Sequence, residues 1–404
     1  MKQDPEKRHW RRNITFFLLG QGFSLLGSTL VWYAIMWYIT LTTGSGLYLT
    51  LLLVAGTIPL VLMSPLGGVW ADRMNRKWLI NIADGFVAVV TLLIIIMFSF
   101  GFEDIWLLMV CIAARAFGQG VQMPAAGAVI PQIVPKENLA RINGLNGMIQ
   151  MGSALLAPMG AAALIAFMPV QQIMWVDVIT AVISILILTF FVKLGRPIGS
   201  KDAPKSAWSD FKIGVKYIAK HRFVRALFAV DAIMTVLIIP IAILTPLIVA
   251  RDFGGEAWKL GAIEVGWIAA ALIGSGIITV WGGFKKQKRT LLMTAVIFGM
   301  GSVATGIAAL MGDFWWFVGF IALAGLVSAF YQPVVNTMLQ QRVEEKFMGR
   351  TYSVMTIIAN TAMPAGMLIF GPLADIVSVN WLLIWTGVLI VLGSWPILSR
   401  KVFD

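Results

Sequence analysis

Apolar residues run along this chain in long, nearly charge-free blocks instead of alternating with polar ones. Blocks of bilayer-crossing length, about 20 residues, lie near 14–41, 47–70, 78–100, 105–131, 142–168 and 171–194. A polar segment follows, and six more blocks lie near 223–250, 260–284, 290–311, 314–341, 351–376 and 379–399. Transmembrane barrel strands would be alternating runs of about ten residues, so a barrel is ruled out. The pattern predicts an all-α membrane protein: twelve transmembrane helices in two six-helix bundles, 1–195 and 223–404. A cytoplasmic linker, 196–222, would join them. Pro59, Pro158, Pro240 and Pro364 fall inside blocks, where neighbouring helices can re-satisfy freed backbone groups. Within the linker, Trp208, Phe211, Val215 and Ile218 recur at steps of three and four, with Lys212, Lys216 and Lys220 on other faces. That spacing predicts an amphipathic helix lying in the membrane interface.

Composition narrows the function classes. The 404 residues are 59% hydrophobic and 12% charged, against about 25% charged in soluble domains. A water-soluble enzyme cannot be built from such a chain. The net charge of +12 needs no nucleic acid. With the N-terminus placed in the cytoplasm, all but Arg115, Arg251 and Lys259 of the 31 basic residues fall on the cytoplasmic side, as the positive-inside rule demands. Both termini are then cytoplasmic, and the basic loops face anionic lipid. The basic N-terminus leads into an apolar stretch too long for a signal-peptide core, so a retained first span is expected. One cysteine, Cys111, and two histidines, His9 and His221, leave no internal disulfide and no plausible resident metal. No phosphate-binding loop is present, and no nucleophile set is evident. The expected partners are therefore the bilayer and a small molecule, with no cofactor.

The two halves repeat each other. Aligning Pro124 with Pro333 also aligns Val134 with Val343 and Arg141 with Arg350 without a gap. Gly67-Gly68 stand before one basic loop as Gly282-Gly283 stand before another. Six spans return the chain to its starting face, so the halves are parallel repeats related by a pseudo-two-fold axis, an arrangement that alternates access to a central crevice.

Between the second and third spans stands Gly68-Val-Trp-Ala-Asp72-Arg73-Met-Asn-Arg76-Lys77. This resembles the loop signature of the major facilitator superfamily. Gly68, Asp72, Arg73, Arg76 and Lys77 match it, while Trp70 and Asn75 depart from it. Asn75 is expected in the left-handed backbone that the family's glycine would take, and Gly68 is expected to let helices approach. The resemblance implies that Asp72 latches onto the start of the eleventh span near Arg350, a helix-dipole contact. Arg115, Gln119 and Gly120 resemble the superfamily's fourth-helix motif, in which the arginine of proton-coupled members is implicated in proton transfer. On physical grounds alone, an intramembrane arginine costs about 2.5–3.5 kcal/mol and must find buried partners.

Acids within spans are few: Asp84, Asp177, Asp231 and Glu264. Any of them could carry a proton or be a satisfied polar contact. Asp231 is the deepest, roughly 12 Å into its span at 1.5 Å per residue, and is slightly preferred. The first span holds Gln21 and Ser24 but no acid, so it offers no counter-charge for a cation. Trp37, Tyr38 and Trp281 are expected in interfacial belts. Gln21, Ser24, Gln119, Trp267, Phe330, Gln332 and Asn336 are candidates for a substrate cavity.

Over nearly its whole length the chain is similar to the macrolide-efflux branch of drug:proton antiporters. GQGFSLLGS, WVDVITAVIS, KKQKRTLLMTAVIFGMG and MGRTYSVM carry the similarity. It implies a monomeric exporter in a bacterial inner membrane. Bulky amphipathic compounds such as macrolides would leave against inward proton flow. Export of a siderophore or lipid, or nutrient import, would use the same scaffold.

Overall fold

In a computed structural model, residues 10–194, 215–284 and 286–394 are described. Twelve helical spans follow one another, as the run lengths predict. The first six are α1 (Trp10–Thr43), α2 (Gly46–Arg73), α3 (Arg76–Ser99), α4 (Ile105–Ile133), α5 (Leu139–Phe167) and α6 (Val170–Phe191). The seventh is in three pieces, α7a (Arg222–Leu237), α7b (Ile239–Ile243) and α7c (Thr245–Asp252). The last five are α8 (Ala257–Trp281), α9 (Gln287–Leu310), α10 (Phe314–Arg342), α11 (Glu345–Ile376) and α12 (Val379–Gly393).

Prolines at 59, 65, 124, 131, 158, 333, 364 and 372 are carried inside continuous helices. The seventh span is different. Pro240 and Pro246 each stand at the start of a new short helix, the position at which a proline's missing N–H costs no helical hydrogen bond.

The chain divides into two compact units. One takes the described residues up to Ile39 and from Leu51 to Leu194. The other takes Thr40–Thr50 with the residues from 215 onward. In the first unit α3 packs against α4 and α6, and in the second α9 packs against α10 and α12. These pairings are the same once six is added to each helix number.

The helix ends repeat as well. Asp104 caps α4 by accepting from the Trp106 N–H, and Asp313 caps α10 by accepting from the Trp315 and Trp316 N–H groups. At the other ends Val134 and Val343 stop the two helices with nearly the same backbone angles, −90°, 132° and −94°, 131°. The glycine pairs do not correspond in this way. Gly67 and Gly68 lie inside α2, whereas Gly282, at φ 72°, is the left-handed cap that ends α8.

Of the amphipathic linker helix, Trp208, Phe211 and Lys212 lie outside the described residues. Residues 215–220 are helical, with Tyr217 and Ile218 buried and Lys216 and Lys220 exposed. Tyr217 stacks on Phe347 of α11 at 4.4 Å between ring centroids.

Both basic residues assigned to the outer face carry an acid beside them. Arg251 pairs with Asp375 at 2.7 Å and donates to the Gly44 and Ala374 carbonyls. Asp375 also accepts from Ser45 and from the Gly46 and Leu47 N–H groups at the start of α2. Lys259 pairs with Glu256 at 3.2 Å. The Trp258 indole N–H and Lys259 hold the Glu256 carboxyl below its usual range. The two exceptions to the charge asymmetry are thus neutralised locally.

Within the second unit α9 and α12 meet glycine to glycine. A Cβ on Gly387 would lie 2.6 Å from the Gly299 carbonyl oxygen, and one on Gly299 would lie 2.7 Å from that of Gly387. Small residues at such crossings let van der Waals packing hold membrane helices together. Gly387→Ala is expected to destabilise the purified protein by about 1–3 kcal/mol through overpacking, read as a lower melting temperature in detergent. Gly276→Ala, at a helical position with open space around it, is expected to leave the melting temperature unchanged or raise it.

Candidate functional site

In the first unit α1, α3, α4 and α6 bring charged and polar groups together. Arg115 of α4 and Asp177 of α6 are 2% and 1% exposed. Their side chains form a two-pronged ion pair: Nη1 donates to Oδ2, and Nη2 donates to Oδ1 at 3.2 Å. Hydroxyl and carbonyl oxygens surround the pair. The Ser28 hydroxyl donates to Asp177 Oδ1 at 2.7 Å, Arg115 donates to Thr91 Oγ1 at 2.8 Å, and Arg115 Nη2 also reaches the Ser28 carbonyl at 3.3 Å. Thr91 Oγ1 lies 3.1 Å from Asp177 Oδ2. Bidentate geometry and satisfied lone pairs are the conditions under which a buried pair can offset its desolvation.

Asp84 of α3 is also buried. It lies within electrostatic reach of Asp177, with Ser24 and Ser184 beside it. Its Oδ2 has no hydrogen-bond partner. Asp84 and Arg115 line a cavity of about 370 Å³ in this unit, together with Gln21, Ser24, Gln119 and Trp32. Gln122 Nε2 donates to Gln21 Oε1 across it at 2.9 Å.

In the second unit a cavity of about 530 Å³ opens among α7a, α9, α10 and α11. Asp231, 5% exposed, is on its wall, with Gln332 and Asn336. Tyr331, Phe298 and Tyr352 share that wall; none of the three was singled out as a cavity residue on sequence grounds. Trp267 and Phe330 were, and neither reaches the wall. Trp267 packs edge-on against Phe298 at 6.3 Å, and Phe330 lies buried near Trp281. A helix turns 100° per residue, so Tyr331 and Phe330 face different sides.

The first two residues of α3, Arg76 and Lys77, tie the first unit together at one end. Arg76 donates to the carbonyls of Ala71 and Ala128 and to the Gln132 side chain, all between 2.8 and 3.0 Å. Lys77 Nζ donates to the carbonyls of Thr189 and Val192 at the end of α6, a favourable place for a cation. Asp72 is exposed and pairs with Arg76 at 3.6 Å. Arg73 is exposed and Arg350 half-buried.

Three sequence expectations change here. Asn75 is extended, at φ −67°, and caps α3 by accepting from the Lys77 N–H. Its side-chain oxygen supplies what a left-handed glycine would not. The close helix approach belongs to Gly67, where a Cβ would lie 2.6 Å from the Gly120 carbonyl oxygen, whereas Gly68 faces open space. Trp37, expected in an interfacial belt, is fully buried.

A family model of the Major Facilitator Superfamily matches residues 17–367. The chain belongs to this superfamily. Among its relatives, macrolide efflux protein A of Streptococcus pyogenes is 29% identical over 387 residues, covering 95% of this chain and 94% of the relative. Macrolide efflux protein A of Enterococcus faecalis is 30% identical over 80% of this chain and 100% of the relative. The multidrug efflux pump Tap of Mycobacterium tuberculosis is 25% identical over 85% of this chain and 82% of its own. Among solved structures, a bacterial homologue of the iron transporter ferroportin in its inward-facing state aligns with a TM-score of 0.74. It is 15% identical and covers 96% of this chain and 99% of that one. The protein is therefore a multi-pass major facilitator transporter of a small molecule, with bacterial efflux proteins among its relatives.

The buried pair gives a stability test. Arg115→Met or Asp177→Leu alone leaves an uncompensated charge in the unit's interior and is expected to cost about 3–5 kcal/mol. The double substitution is expected to lose less than either single one, read as melting temperatures of the four proteins in one detergent.

Proposed function

We propose that this transporter exports bulky amphipathic compounds of the macrolide kind, coupled to inward proton flow, by alternating access. The similarity to macrolide and multidrug efflux proteins supports the direction and the substrate class. One observation carries the proton part. Two buried carboxylates, Asp84 and Asp177, stand within electrostatic reach of each other, and the one guanidinium beside them, Arg115, is paired with Asp177.

The charge arithmetic of this cluster is simple. With both acids ionised it carries a net charge of −1, and one proton makes it neutral. A buried net charge is costly in a membrane protein, so occupancy of that one proton site can bias which conformation is favoured. Asp177 is engaged by both prongs of Arg115, whereas Asp84 has a carboxylate oxygen to spare and stands on the cavity wall. Asp84 is therefore the group that takes and gives the proton, with Arg115–Asp177 as the fixed counter-pair. Depth alone favours Asp231; the company of a second acid and an arginine favours Asp84. The loop acid Asp72 is the residue proposed to latch the start of α11 during the cycle.

The same cluster yields a transport prediction. In proteoliposomes loaded with erythromycin, Asp84→Asn is expected to abolish efflux driven by a pH gradient while keeping erythromycin counterflow at equal pH. Full pH-driven efflux by Asp84→Asn would remove Asp84 from the mechanism. Failure of the unaltered protein to move erythromycin or any other macrolide would remove the substrate class.

A further inference from the structure

The proton cluster leaves one buried acid unused. Asp231 lies in the other unit, on the wall of the larger cavity, and among the described residues it has no basic partner. No lysine, arginine or histidine lines that cavity among the described residues. The wall instead holds unspent polar capacity. The Tyr331 hydroxyl faces Asp231 without closing a hydrogen bond of ordinary geometry, and Asn336 Oδ1 is buried with no partner. The remaining wall is mainly apolar, with Met234, Ile238, Phe298 and Met355 prominent.

A carboxylate buried without a counter-charge is expensive, and the expense disappears when a cation sits against it. The volume of about 530 Å³ is within the range of small-molecule pockets, about 300–1,000 Å³. Methionines on the wall can repack around bodies of different shape, and aromatic rings beside the acid favour a positively charged guest over a neutral one. The first unit's cavity lacks this character, because Arg115 stands on its wall.

We propose that the second-unit cavity is a subsite for organic cations, in which Asp231 receives the positively charged group of an amphipathic substrate and the apolar wall takes its body. This rests on the export reading and adds to it a preference for charge, located in α7a.

Two fluorescent dyes of similar apolar character separate the outcomes: rhodamine 6G, which is cationic, and Nile red, which is uncharged. Binding of each is measured by fluorescence polarisation on the full chain in lipid nanodiscs. Asp231→Asn is expected to weaken rhodamine 6G about tenfold or more and to leave Nile red within about twofold. Asp231→Glu is expected to keep the preference for the cation. Met355→Trp, which fills the cavity and keeps the acid, is expected to lose rhodamine 6G binding, and it serves if Asp231→Asn does not fold. Unchanged rhodamine 6G binding in Asp231→Asn or Met355→Trp overturns the proposal, and so does an equal loss of both dyes in Asp231→Asn. If rhodamine 6G does not bind the unaltered protein, the subsite fails, while the export reading stands or falls with the erythromycin transport measured in proteoliposomes. If both bind it and the variants do not discriminate, only the subsite fails.

Discussion

A guanidinium in the middle of an apolar helix tolerates only one kind of surrounding: an anion in bidentate register and enough oxygens to replace its lost water. Arg115 has that surrounding in Asp177, Thr91 and Ser28. Four helices contribute to it, so α1, α3, α4 and α6 cannot change register without stranding a charge. The functional reading grows from the same constraint. Once Arg115 is committed to Asp177, the neighbouring Asp84 is the surplus acid, and a surplus acid on a cavity wall inside a membrane protein is the place the proposal gives the proton.

Much of the fold was legible because a bilayer imposes run length as a strict rule. The twelve blocks follow from counting apolar residues. The need of Arg115 for a partner was legible too, since no other fate is open to it. Its partner was not. Nothing in the positions of Asp84 and Asp177 along the chain says which of them turns toward α4, because rotation of one helix against another is set by packing. Gly67 and Gly68 make the same point at smaller scale: adjacent residues of one type, one pressed on the α4 backbone and one facing open space. Trp37 was misplaced because its amphipathic ring suits an interface in general, while this one is fully buried with its ring beside Tyr33. The break at Pro240 escaped notice because most prolines in this chain leave their helices whole. Spacing does not mark the exception, since Pro59 and Pro65 stand as far apart as Pro240 and Pro246 inside the unbroken α2.

The two halves have divided the chemistry. One carries a buried arginine with two acids, to which the proposed function assigns the proton. The other carries a cavity with a single acid on its wall, to which the proposed subsite assigns a cationic group. A transporter that exchanges protons for amphipathic molecules needs one group that titrates and another that recognises. Placing them on different helices lets each be tuned without disturbing the other.

Asp104 and Asp313 begin their helices in the same way, and Val134 and Val343 end them in the same way. Between those matched ends almost every side chain has diverged, with Arg115 in one copy and apolar or small residues around the equivalent depth of the other. An ancestral gene doubling therefore left its trace in the joinery at the rims. In this pair of helices the rims match in cap and backbone angle, while inside them Pro124 and Pro333 still coincide.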